Sequence, residues 1–384
     1  LRKRSLAFCL AAAITFLGGA GSALLGVCGP FTDVSDAAFC PFVLEIFTLG
    51  ITTGTSPTTY DPTSSVSRLQ MAAFLSRTVD GVLKRGSRRA ALDQFWTTQN
   101  STVLGLTAVG TTPHFVKSDG ADLWVGNSGG ATVSRVRGSD GKLLETWTGA
   151  PNASGVLVAM GRVFVTGRQV PGQLYRIDPS AAPGAVDIVA SNLGGNPTGI
   201  AFDGARIWTG NLGNSVSIVT PGATIPWTVT TVTTGFGLAL GTLYDGANIW
   251  VADASAQAIL KLDPAGAILQ TVTVGSAPQY PVFDGSNIWV PNNGGTSVSV
   301  VRASTGAVLA TLTGNGLNQP LAGAFDGQRV LFTNNGTNSV SVWKAADLTA
   351  IGSFGTGPGK IPFAACSDGI NFWIAVSSNQ LARF

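Results

Sequence analysis

The chain holds few groups able to do acid–base, nucleophilic or metal chemistry. His114 is the only histidine among 384 residues and lies in Pro113-His114-Phe115-Val116. One histidine cannot build a multi-histidine metal site. Beyond residue 100 the only glutamate is Glu145. Most aspartates there stand in Asp-Gly or Asp-Pro pairs (Asp119, Asp203, Asp245, Asp284, Asp326, Asp368; Asp178, Asp263), where turn geometry explains them. Asp253 replaces the asparagine found at positions 127, 211 and 292. It reads as a polar turn residue, with a lone ligand as the alternative. Glycine-rich stretches such as Gly241-Thr-Leu-Tyr-Asp-Gly246 read as hairpin turns, not phosphate loops. No catalytic residue, metal or cofactor is expected. The alternative is an enzyme, a lyase or hydrolase, working near His114.

These residues are carried by a phrase written seven times. Asp119-Gly120 precedes Leu123-Trp124-Val125, and Gly161, Asp203-Gly204, Asp245-Gly246, Asp284-Gly285, Asp326-Gly327 and Asp368-Gly369 precede similar apolar triplets. The seven glycines are 39 to 43 residues apart. A period near 40 in a chain of short β runs predicts a β-propeller, one four-stranded blade per repeat. The fold class is therefore mainly β: a seven-bladed β-propeller over 101–384, preceded by a small α-helical module. Trp124, Trp208, Trp250, Trp289 and Trp373 are expected to pack between blades, with Phe164 and Leu331 in two equivalent places. The last repeat is one strand short, and residues 102–109 match the outer-strand pattern. This segment is expected to complete the seventh blade and remove the exposed sheet edges. His114 then sits on an innermost strand, facing the central channel.

Composition narrows the class. Only 11% of residues are charged, 50 are glycine, and the net charge is +3. Low charge with β-branched residues and frequent turn formers suits an exported all-β protein. No basic surface large enough for nucleic acid is implied. Arg2-Lys3-Arg4, the apolar run to Leu17 and the small residues at 18–23 read as a signal peptide over 1–27, leaving no membrane span after cleavage. Cys9 falls in that segment. Cys28 and Cys40 stand twelve apart, where a disulfide is permitted but not required. Cys366 reads as a small buried apolar residue.

Residues 28–83 follow another grammar. Phe39, Phe42, Val43, Ile46 and Phe47 recur at helical spacing, and Pro41 suits a first helical turn. Ser67 is placed to cap a second helix with Met71, Phe74 and Leu75 on one face. Residues 84–100 read as a basic helical linker, from Lys84-Arg85 and Arg88-Arg89. Its charge is expected to be a solvated face, the alternative being contact with acidic envelope polymer.

Phe31-Thr-Asp-Val34, Gly50-Ile-Thr-Thr-Gly54, Tyr60-Asp-Pro62 and Val66-Ser-Arg-Leu-Gln70 together resemble a single S-layer homology (SLH) repeat. That resemblance implies attachment to cell-wall or envelope polysaccharide and a secreted or cell-surface location. Matching the family's motifs residue by residue, it implies ligand contacts by Asp33, Thr52, Thr53, Gly54, Tyr60 and Arg68. Arg68 would pair with an anionic sugar substituent, which suits a guanidinium fork. Two departures stand out: the motif's acid is Gln70 here, removing a charged contact or helix-cap role, and one repeat is visible where the family commonly uses three.

The repeats resemble the YVTN/YncE-like propellers through Asp-Gly-x-x-[Ile/Leu]-Trp-Val-x-Asn and Ser-Val-Ser-Val. This implies an exported binding or surface protein, with a protein or glycan as partner on a propeller face. Streptogramin (virginiamycin B) lyases are similar in architecture but use a histidine and a glutamate with magnesium, and no glutamate accompanies His114 in a recognisable motif.

Overall fold

The structure, a computed structural model, describes residues 28, 30–36, 38–48, 51–86 and 105–384. The expected signal peptide at 1–27, and residues 87–100 of the expected linker, lie outside the described residues. Two compact units are present, Leu1–Phe95 and Trp96–Phe384. Among the described residues no helix is long and apolar enough to cross a membrane.

In the second unit the described residues form seven antiparallel four-stranded sheets, which are the blades of a propeller. Blade 1 runs outward through Pro113–Ser118, Asp122–Asn127, Thr132–Arg137 and Leu143–Thr148. Blades 2 to 6 repeat this order, with innermost strands starting at Ala153, Pro197, Ala239, Val282 and Pro320. Blade 7 takes Pro362–Ser367, Phe372–Val376 and Gln380–Arg383 from the end of the chain. Its outermost strand is Gly105–Ala108, paired antiparallel to Gln380–Arg383 with Leu106 opposite Ala382. Both chain segments thus share one sheet, which ties the ring shut and hides an edge.

The repeated aspartate has two tasks. In blades 1, 3, 4, 5 and 7 one carboxylate oxygen caps the turn; Asp284 Oδ1, for example, accepts from Ser286 N at 2.8 Å and Asn287 N at 2.6 Å. The other oxygen accepts from the indole of the following tryptophan, at 2.9 Å for Asp119–Trp124 and 2.7 Å for Asp203–Trp208, Asp245–Trp250, Asp284–Trp289 and Asp368–Trp373. The turn glycines at 120, 204, 246, 285, 327 and 369 have φ between 89° and 98°, and an added Cβ at any of them would meet nothing within 4 Å. Backbone conformation, not space, demands glycine there. In blade 6, where Leu331 replaces tryptophan, Asp326 instead binds Arg329 Nε at 2.8 Å.

The core lies between blades. Trp124 packs on Val156, Val163 and Tyr175 of blade 2, and Trp373 on Leu123 and Val125 of blade 1. Trp250 meets Ile288 and Val290 of blade 5, while Trp289 meets Val330 and Phe332 of blade 6. Phe164 and Leu331 fill the same place toward blades 3 and 7. Trp208 does the same against Ile249 and Val251 of blade 4, and all seven side chains are buried. Each blade therefore supplies its neighbour's hydrophobic floor, so burial of its apolar face depends on the blade beside it.

The asparagine that ends the second strand is a second latch. Asn127, Asn211, Asn292 and Asn334 each donate from Nδ2 to two hydroxyls of the next strand's Ser/Thr-x-Ser segment, as in Asn211 to Ser215 and Ser217 at 3.1 and 3.0 Å. In blade 4 those partners are Ala258 and Leu260, which offer no acceptor. Asp253 stands there instead and accepts from four backbone N–H groups, those of Gly237, Leu238, Ser255 and Ala256.

The first unit contains α1 (Cys40–Thr48) and α2 (Arg68–Gly86). Cys28 and Cys40 form a disulfide with Cα atoms 5.5 Å apart. Cys28, Phe31 and Val43 are buried together, with Phe47 and Tyr60 packed against them. The expected apolar period is split: Phe39, just before α1, and Phe42 within it are each 63% exposed. Met71 and Leu75 of α2 are exposed as well, and only Phe74 of that expected face is half-buried. The helix-cap role is not missing, contrary to the expectation from Gln70. Ser67 Oγ accepts from Gln70 N at 3.2 Å, and Gln70 Oε1 accepts from Ser67 N at 2.8 Å. This is a reciprocal capping box, which needs a carbonyl acceptor and not a charge.

Candidate functional site

Two places gather polar groups beyond those that hold the fold. The first is the loop system of the helical unit. Asp33 accepts from Tyr60 N at 2.9 Å and Asp61 N at 2.7 Å, and these bonds hold its carboxyl below the usual range. It thereby ties the Phe31–Val34 segment to the Tyr60-Asp61 turn, while the Tyr60 ring lies 5.6 Å from that of Phe31. Thr52 is buried, and its hydroxyl accepts from Gly54 N at 3.2 Å. Gly54 has φ 76°, and a Cβ there would lie 2.5 Å from both Phe31 Cε1 and Thr59 O. Thr53 is exposed between them. Arg77, whose role the sequence reading did not assign, donates from Nη1 to the Ile51 carbonyl at 3.0 Å and pins this loop to α2. Arg68, at the first turn of α2, is exposed and makes no ion pair among the described residues. Five of the six expected site residues thus share one loop network, and Arg68 stands on the helix next to it in sequence.

The second place is the bore of the propeller, bounded by the innermost strands. In six blades these strands carry a register shift just after their first residue, as between Pro113 and Val116 or Pro197 and Gly199. Such bulges re-aim side chains at a barrel or ring mouth. Gly155, Gly199 and Gly241 follow, and a Cβ on any of them would collide with a backbone carbonyl oxygen of the next blade. His114 Nδ1 is 2.9 Å from Ser154 Oγ of blade 2. Its ring lies 4.9 Å from Phe115 and 5.6 Å from Phe363 of blade 7. Phe115 meets Tyr280 of blade 5 edge to face at 4.7 Å, so this pair reaches across the ring between blades that are not neighbours.

Burial, seconded by the Arg168 guanidinium, pushes the His114 imidazole down to about 4. Burial likewise raises the Tyr280 hydroxyl, against the opposing pulls of the Thr198 hydroxyl and, after it, of Arg168. Cys366, in the innermost strand of blade 7, is buried and its thiol is pushed up to about 12, which makes it inert. Among the described residues no group of three or more His, Cys, Asp or Glu side chains is arranged to hold a metal.

The S-layer homology domain matches residues 30–72. The chain therefore carries an SLH domain followed by a seven-bladed β-propeller. SLH domains bind cell-wall polysaccharide, so this one implies association with the cell surface or envelope. No curated protein matches the chain. Among solved structures, streptogramin B lyase is similar with 14% identity and a TM-score of 0.61, over 74% of this chain and 99% of that one. Virginiamycin B lyase from Staphylococcus aureus, in a catalytically inactive form with quinupristin, is 16% identical with a TM-score of 0.62 over 73% and 99%. Hydrazine synthase of Kuenenia stuttgartiensis is 16% identical with a TM-score of 0.61 over 75% and 99%. At such identities the likeness shows the fold alone.

Proposed function

We propose that this is an exported bacterial envelope protein without catalytic activity. The SLH domain would hold it on envelope polysaccharide, and the propeller would present a binding or scaffold surface to a protein or glycan. The observation that carries this reading is the SLH match at residues 30–72 together with the loop built around Asp33, Thr52, Gly54 and Tyr60. In this reading the network fixes the loop, and the exposed Thr53 hydroxyl and Arg68 guanidinium meet the glycan. An exposed arginine with no internal carboxylate is free to bind an anionic substituent in a bidentate manner. The test is binding of the full chain to purified envelope polysaccharide. Arg68→Ala and Thr53→Ala are expected to weaken it, and undiminished binding by both variants refutes the assignment.

The Ser154–His114 contact favours a second reading, a propeller lyase or hydrolase with chemistry at the bore. A serine activated by histidine needs a third group to orient the base. The rings nearest His114 are the aromatic Phe115 and Phe363, which supports the binding reading instead. Hydrolysis of an activated ester that is lost in His114→Gln would favour the enzyme.

A further inference from the structure

Arg168 is the unexplained charge of the propeller. It follows the second strand of blade 2 (Arg162–Gly167), and its backbone N–H donates to Asn152 O at 3.0 Å. Its side chain is half-buried, and its Nε is fully buried with no hydrogen-bond partner among the described residues. The other half-buried arginines of this unit have a carboxylate, or for Arg383 the Ser139 carbonyl, as partner. Arg135 pairs with Asp122 and Glu145, Arg206 with Asp203, and Arg329 with Asp326. The cleft of about 210 Å³ between blades 3 and 4 shows the contrast, because its Arg206 is already committed to Asp203 and the Pro264 carbonyl. A buried guanidinium atom without an acceptor is costly, and such atoms are rare in folded proteins.

The surroundings say what would satisfy it. Gly167 pairs with Ala153 and the Arg168 N–H donates to Asn152 O, so Arg168 flanks the start of the innermost strand that carries Ser154, the partner of His114; its charge also acts on His114 and Tyr280. The groups gathered there are the Ser154 and Tyr280 hydroxyls, the His114 ring, and the aromatic faces of Phe115 and Phe363. The hydrogen-bond partner of His114 is the Ser154 hydroxyl, not a carboxylate. The result is a positive group beside hydrogen-bond donors and aromatic walls.

We propose that the mouth of the bore is an oxyanion-binding site, in which Arg168 grips a carboxylate or phosphate group of a ligand whose ring rests on Phe115, Phe363 and Tyr280. The planar guanidinium fork suits both oxyanions, and aromatic walls suit the apolar face of a sugar ring. This deepens the reading of the propeller as a binding body and does not depend on the SLH anchor. Glycan binding by the helical unit and oxyanion binding by the bore can therefore fail separately.

Because the chain has a single histidine, His114 is a built-in reporter. The full protein, with its histidine ring labelled, would be titrated at pH 7 with sodium glucuronate, sn-glycerol 3-phosphate and glucose while the one imidazole NMR signal is followed. The expected result is a saturable shift for at least one of the two anions, complete by about 10 mM, and none for glucose. Whichever anion acts identifies the source, an acidic sugar or a phosphate ester. In Arg168→Gln the anion response is expected to vanish. Arg168→Lys, which keeps the charge and the fold but loses the fork, is expected to bind about tenfold more weakly. No shift with either anion, an equal shift with glucose, or an undiminished response in either variant overturns the proposal.

Discussion

Replacing His114 by glutamine should remove a specific acid sensitivity from the propeller. The native imidazole sits at about 4 against an ordinary 6.5, first because it is buried and second because Arg168 repels its proton. The remaining neighbours, Ser154, Phe115 and Phe363, carry no charge that would offset this. As pH falls through 6.5 the unfolded chain takes up the proton while the native one does not. Stability is therefore fully present above about pH 6.5 and is lost as pH falls toward 4. The complete effect is about 3 kcal/mol, of which about 2 kcal/mol is lost between pH 7 and 4.5. Glutamine is a fair replacement because Gln279 holds the equivalent place in blade 5, following Pro278, which bridges Asn292 as Pro113 pairs with Asn127. Urea unfolding of both proteins at pH 7 and 4.5 isolates the histidine, since the carboxylates are common to the two. The wild type should lose about 2 kcal/mol more than His114→Gln on acidification. Equal losses, or a His114 NMR titration near 6.5, would refute the reasoning.

Three further outcomes follow from the contacts. Asp284→Ala leaves two turn N–H groups and the buried Trp289 indole without their acceptor, and should destabilise the propeller by about 2–3 kcal/mol in urea. Gly54→Ala sets a Cβ against the Phe31 ring and the Thr59 carbonyl at a positive φ. That variant should expose the helical unit to limited proteolysis while the propeller stays resistant. Gln70→Ala removes one arm of the capping box and should cost α2 about 1 kcal/mol, whereas Gln70→Glu keeps the arm and adds a favourable charge at the helix N-terminus. Amide exchange in the first turn of α2 would rank the three proteins.

Much of the fold was legible because each blade repeats the same solution in the same residue order. The tryptophan positions declared themselves through the Asp-Gly period, and their burial between blades follows from it. Less legible was the second role of the aspartate. A turn accounts for Asp-Gly so completely that the indole bond to the other oxygen leaves no separate trace in the sequence. The serines and the asparagine were visible as a pattern, but their pairing emerged only once the strands were in register. Asp253 could have been read from its neighbours, since Ala258 and Leu260 remove the hydroxyls that an asparagine would use. Gln70 was misjudged because charge was counted where geometry needed an acceptor. Arg168 gave no signal, for it sits in blade 2, which lacks both the aspartate and the tryptophan that set the register of the other repeats. In the helical unit the six expected residues were named from motif resemblance, yet the sequence did not say that Thr52 turns inward or that Arg77 closes the loop.

In the proposed function, residues 30–72 hold the protein on the envelope while the propeller serves another partner. Co-sedimentation with purified cell envelope tests it most directly, comparing the full chain, residues 101–384 alone, and Arg68→Ala in the full chain. The full chain is expected to sediment, Arg68→Ala to do so less, and the propeller alone to stay in solution. Sedimentation of residues 101–384 as complete as that of the full chain would contradict it and assign envelope recognition to the blades.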